Sequence, residues 1–148
     1  MNIKAVDHSV NIVGIEKNGR KYAMCMAWAT QVAEDKLICA IGSQSATGKV
    51  IENGDIIGFS NLTKAQTSVA FQLGDVEKHS DAVDKLGGID YRMDGSAIII
   101  NGARAEIKGK VIDVLHLKDI EAEKIIYIQI LDGKQNEGEP LHISDLGM

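Results

Sequence analysis

The feature that most limits how this chain can fold is the alternation in residues 104–111. There Ala105, Ile107, Gly109 and Val111 take turns with Arg104, Glu106, Lys108 and Lys110. A period of two sends one set to one face of a strand and the other set to the opposite face. The pattern predicts a long antiparallel strand with one buried and one wet face. Val111-Ile112 interrupts the alternation, and a bulge is expected at that point.

Other segments have the same character. SVNIVGIE and KYAMCMAW flank Asn18-Gly19, a pair that tolerates positive φ at both centres of a tight hairpin turn. LICAIG is a short apolar run, as in a strand covered on both faces. DIIGFSNL, SAIIING and KIIYIQILDG complete the set of strands. Helical signals lie in the middle. Thr63 and Gln66 have capping-box spacing, and Ala65, Val69, Ala70 and Leu73 form a stripe that Gly74 stops. Shorter helices are expected over KVIEN, ended by Gly54, and over Ser80–Leu86; the tail NEGEPLHISDLGM reads as loop. Many strands, few helices and no regular βα alternation predict a mainly β chain, a β-barrel with short helical insertions, as one domain over residues 1–148.

Composition narrows the function. A net charge of −5 argues against binding by neutralising nucleic-acid phosphates. Cys25 and Cys39 both lie in apolar segments, which fits reduced, buried thiols in the cytoplasm better than a disulfide framework. The first residues lack the apolar core of a signal peptide, and no apolar run approaches a membrane span. The four histidines and two cysteines have no metal-ligand spacing. No G-x-S-x-G elbow or Cys–His pairing motif points to hydrolysis. EKNGRK and KDIEAEK read as solvated charged turns.

One loop carries chemistry. Gly42–Lys49, GSQSATGK, places Ser43, Ser45 and Thr47 beside Lys49, so hydroxyls, flexible backbone amides and a cation suit a phosphate. It is not an ATP loop. Five residues rather than four separate Gly42 from Gly48, and Val50 stands where the magnesium-binding hydroxyl belongs. A polar surface loop rich in small residues is the alternative.

Ala23–Val32, AMCMAWATQV, with Trp28, Thr30 and Gln31 in place, resembles the flavin reductase-like family, whose domain is an FMN-binding split β-barrel. AVDKLGGIDYRM, NGARAEIKGKVIDVLHLKD and IIYIQILDG are similar to later segments of that family, so the likeness runs from about His8 to Pro140. The resemblance implies a homodimer with one FMN per subunit near the dimer interface. It places Cys25, Met26, Ala27 and Trp28 along the flavin ring, with Thr30 towards the ribityl side. Ser43, Ser45, Thr47 and Lys49 would hold the phosphate, and Lys85 would stand at the rim. Cys25 occupies a position where the family commonly has threonine. The loop lacks the family's flanking cation and histidine, and the chain ends without its usual aromatic closure, leaving the site more open or completed by a partner. The implied activity is that of a flavin-dependent oxidoreductase in which the cofactor carries the chemistry, so no catalytic side chain is assigned. An NAD(P)H-dependent reductase of flavin or a small acceptor is the leading version. The others are an electron-transfer module that uses no nicotinamide, with a redox protein as partner, and a relative that has lost FMN.

Overall fold

The computed structural model describes residues 3–43, 45–74 and 86–147. Nine strands form one antiparallel sheet among them: β1 (Asn11–Lys17), β2 (Arg20–Met26), β3 (Ala29–Ala33), β4 (Lys36–Gly42), β5 (Ile56–Asn61), β6 (Tyr91–Asp94), β7 (Ala97–Ile100), β8 (Ala105–Leu115) and β9 (Glu123–Gln135). Their order is β3-β4-β9-β8-β5-β1-β7-β6, with β2 attached to β1. β2 and β3 are consecutive in the chain, yet no ladder joins them among the described residues, so the barrel stays open at that seam. Two short helices, α1 (Ala46–Val50) and α2 (Thr67–Leu73), flank the sheet. This is the expected mainly β, split-barrel architecture. No helix among the described residues is long and apolar enough to cross a membrane.

The β1–β2 hairpin turns at Asn18 and Gly19, with φ of 54° and 76°. Its alternation supplies two cores from one pair of strands. Val13, Ile15 and Met26 enter the barrel interior with Leu37, Cys39, Ile57, Val111, Ile126 and Ile128. Val10, Ile12 and Ala23 face the other way, towards Leu62, Ala70, Leu73, Ile98, Ile100 and Leu141. Each fully buried aliphatic side chain contributes roughly 1.5–3 kcal/mol, so both faces of this hairpin are held. β7 crosses close behind: a Cβ on Gly58, opposite Gly14 in the ladder, would lie 1.8 Å from the Ile98 carbonyl oxygen.

The structure refines several expectations. The bulge is present, as the β8–β9 register shifts between Val111 and Asp113. The outer face of β8 is not uniformly wet, because Glu106 is buried and β6 supplies Arg92 as its partner. LICAIG is buried on one face and half-buried on the other. The first helix begins at Ala46, three residues before the KVIEN segment, and ends at Val50. The capping-box residue Gln66 accepts the Thr63 N–H at 3.0 Å through its side-chain oxygen, opening a 3-10 turn (Lys64–Gln66) that leads into α2. Ala65, in that turn, is exposed rather than part of the buried stripe. Lys17 is no solvated turn residue: its ammonium donates to the Val50 carbonyl at 2.7 Å and pairs with Glu52 and Asp55. Burial alone would push that ammonium down, but the two carboxylates outweigh it and hold it above its ordinary value. The expected helix over Ser80–Leu86 lies outside the described residues apart from Leu86. The tail is more than loop: Leu141 is buried and bonded to Val10 and Leu62, and a 3-10 turn follows at Ile143–Leu146.

Candidate functional site

Two hollows of nearly equal size lie beside β2 and the seam that follows it. The first, about 490 Å³, is bounded by Cys25, Met26 and Ala27 at the end of β2, by Ala70, Phe71 and Gly74 at the end of α2, and by Ile143 and Leu146 of the C-terminal turn. Among the described residues no charged side chain lines it. Cys25 is half-buried here, not sealed in the core as expected, because its side of β2 meets a short helix rather than another strand. Cys39, by contrast, is fully buried, and burial pushes its thiol up to about 12. The cysteines form no disulfide.

The second hollow, about 480 Å³, is the mouth of the barrel. Leu37, Phe59, Ile107 and Ile130 form its apolar wall, while Ser9, Asn11, Asn61, Arg104, Thr30 and Gln31 give it a polar end. The chain reaches it from the first hollow across Ala27 and Trp28, where the Ala29 N–H turns back onto the Ala27 carbonyl at 2.9 Å. Trp28 is 57% exposed on this crossing.

The bend after β4 is a neighbour of that crossing. The Ala40 N–H donates to the Trp28 carbonyl at 2.8 Å, and Ser45 Oγ lies 3.7 Å from Met24 Sδ. The two segments singled out in the sequence therefore come together. The bend's hydroxyls, however, serve the bend. Ser45 accepts the Gly48 N–H at 2.9 Å as the N-cap of α1 and donates its hydrogen to the Gly42 carbonyl at 2.7 Å. Ser43 donates to the Ala122 carbonyl at 3.0 Å, and Thr47 is buried. Lys49 is exposed and is the group most accessible to an anion here. None of residues 43, 45, 47 and 49 lines either hollow, Thr30 lines the second rather than the first, and Lys85 lies outside the described residues.

A flavin ring is flat and apolar on its faces, with hydrogen-bonding atoms along one edge. The first hollow suits it: the volume lies within the roughly 300–1,000 Å³ of small-molecule sites, the walls are apolar, and β2 has β1 as its one strand neighbour among the described residues. Its other backbone edge is thus uncovered by a strand at Cys25–Ala27. Sequence reasoning missed the opposite wall. Ala70 was assigned to the core stripe, Phe71 falls off that stripe, and the apolar spacing of Leu141, Ile143 and Leu146 in the tail was the available sign of a docked turn.

The fold has close counterparts. The flavin reductase domain protein from Arthrobacter sp. FB24 superposes with a TM-score of 0.76 at 15% identity, covering 90% of this chain and 80% of that one. The NADH:FAD oxidoreductase from Streptomyces globisporus gives 0.76 at 16%, covering 88% and 76%. Flavoredoxin from Methanosarcina acetivorans gives 0.73 at 18%, covering 94% and 77%. At such identities these likenesses establish the open barrel alone. No curated protein matches the sequence. The open antiparallel barrel, with its apolar hollow at an uncovered strand end, shares the fold of these structures. The family model for the flavin reductase like domain matches residues 3–145, and the chain belongs to that family.

Proposed function

We propose that the chain is an FMN-binding oxidoreductase that takes electrons from NADH or NADPH and delivers them to flavin or another small acceptor. The observation that carries this reading is the apolar hollow at the uncovered edge of β2. When bound there, FMN supplies the hydride-accepting and electron-donating chemistry. Cys25, Met26 and Ala27 offer the ring a strand edge, while Phe71 and the apolar wall of α2 and the C-terminal turn exclude water from its face. Lys49, exposed in the last turn of α1, attracts the phosphate end. Trp28 and Phe71 are both more than half exposed, and large apolar surface of this kind beside a hollow favours cover by a second subunit. The working form is thus a homodimer in the cytoplasm, where its thiols stay reduced.

The test is a titration followed by turnover. Purified protein mixed with FMN is expected to quench flavin fluorescence saturably. Added NADH or NADPH is then expected to bleach the flavin and be consumed in air, and sedimentation is expected to give a dimer. Saturable FMN binding without bleaching by either nucleotide would replace the reductase with an electron-transfer module. Absence of FMN binding and of any thermal shift would remove the flavin reading altogether; a ligand at a hundred times its Kd adds about 2.7 kcal/mol, which a melting curve registers.

A further inference from the structure

The barrel mouth is built like a binding site in its own right. Its polar end is organised by side chains that no surface role requires. Asn11 and Asn61 are 2% and 6% exposed. Asn61 Nδ2 donates to Asn11 Oδ1 at 2.7 Å and to Ser9 Oγ at 3.0 Å, while Asn11 Nδ2 donates to the Ser9 and Met26 carbonyls. This network ends on Arg104. Its backbone N–H donates to the Asn61 carbonyl and its Nε to Asn61 Oδ1, both at 2.7 Å. Two bonds to one buried residue fix where the guanidinium starts and how its plane is turned. Its two terminal nitrogens have no hydrogen-bond or ion-pair partner among the described residues.

The surrounding charge points the same way. The chain carries a net charge of −5, yet among the described residues no Asp or Glu lines this hollow, whereas Arg104 and Lys134 do. A half-buried guanidinium held by its Nε, with a donor pair left over, matches the fork geometry that recognises a carboxylate through two parallel bonds. Opposite stand Leu37, Phe59, Ile107 and Ile130, which favour an apolar body over a bare inorganic ion. We propose that the barrel mouth is a second small-molecule site, taking an organic carboxylate whose apolar or aromatic body packs on Phe59 and Ile130 while its carboxylate meets Arg104. The site is separate from the hollow assigned to FMN and stands whether or not flavin binds. The Asn61–Asn11 pair nevertheless connects it by hydrogen bonds to the Met26 carbonyl, which lies beside that hollow.

Benzoate is a suitable probe, with benzamide as its neutral isostere and inorganic phosphate as the bare anion. Calorimetric titration of the full chain is expected to give saturable one-site binding of benzoate, with benzamide and phosphate each at least tenfold weaker. Arg104→Gln is expected to weaken benzoate at least tenfold while FMN affinity, read by fluorescence, stays within twofold. Amide shifts in the unaltered protein on benzoate saturation are expected to centre on Thr30, Asn61 and Arg104, a readout that holds even if the variant does not fold. The proposal is overturned by the absence of benzoate binding at millimolar concentration, or by benzamide or phosphate binding as tightly as benzoate. Displacement of benzoate by FMN, or shifts centred on Cys25 and Ala27, would equally overturn it.

Discussion

The two hollows differ by little in volume and by almost everything in chemistry. One has apolar side chains on every wall and a bare strand edge; the other has an arginine anchored on a buried asparagine pair. Both arise from the same hairpin. Odd-numbered residues of β1 face the barrel, which brings Asn11 to the mouth, while even-numbered Val10 and Ile12 face α2. On β2 the parity reverses, and Cys25 goes to the helix side while Met24 and Met26 go to the barrel. A period of two is therefore enough to give one thin wall two unlike faces, and each hollow inherits its character from one of them.

The severest way to break this arrangement is to damage the wall itself. Gly58→Ala would drive a Cβ into the Ile98 backbone, where no flexible side chain can yield. A loss of about 3 kcal/mol or more is expected in urea unfolding, with both ligand affinities reduced together. A loss under about 1 kcal/mol would mean that β7 is free to withdraw and that the wall is not shared.

A lesser and one-sided effect is expected at Glu106, on the outer face of β8 behind the mouth. Burial pushes its carboxyl up, but hydrogen bonds from Arg92 and Asn136, the Arg92 charge and the Gly102 N–H together hold it below its ordinary value. Because the folded value is the lower one, this stabilisation is complete above the ordinary value of 4.5 and is lost as the pH falls through the folded value. Glu106→Ala should cost about 2 kcal/mol at neutral pH, since it removes hydrogen bonds made to a buried, charged carboxylate. It should also flatten the acid limb of stability measured by chemical unfolding at a series of pH values. An acid limb unchanged by the substitution would assign the pH dependence to other carboxylates.

The smallest structural effect and the sharpest functional contrast belong to Phe71. It is 58% exposed, so Phe71→Ala should change stability by no more than about 0.5 kcal/mol. FMN affinity should nevertheless fall about tenfold, in line with roughly 0.5–1.5 kcal/mol for an aromatic contact beyond its area, with benzoate unaffected. Paired with Arg104→Gln, this forms a reciprocal test. If either variant weakens both ligands alike, the hollows act as one site.

Much of this architecture is legible in the sequence because alternation and turn chemistry are local. Asn18-Gly19 specifies its own turn, Val111-Ile112 announces a bulge, and Thr63 with Gln66 marks a helix start. The candidate site was legible on one side only. AMCMAWATQV carries the strand end, but its opposite wall comes from Phe71 and from Ile143 and Leu146, about 45 and about 120 positions from Cys25. The contribution of Ile143 and Leu146 depends on docking of the tail between Val10 and Leu62, a tertiary event with no local signature. The hydroxyls of Ser43 and Ser45 point to the complementary limit. Their composition suggests a phosphate, while their geometry also answers the bend's own carbonyls and the first amides of α1. Asn11, Asn61 and Arg104 had no shared motif to reveal them, because the sheet assembles them from three strand ends and loops.

The crossing at Ala27–Trp28 sets a length the chain cannot easily change. With β2 and β3 unpaired, nothing except this two-residue step and the ladder to β4 decides which sides of Ala29–Ala33 look inward. One residue inserted there would exchange the inward and outward sets of the whole strand, and with them the side chains that Ala29–Gln31 turn towards the mouth. The seam that leaves the barrel open is thus also the place where its spacing is least negotiable.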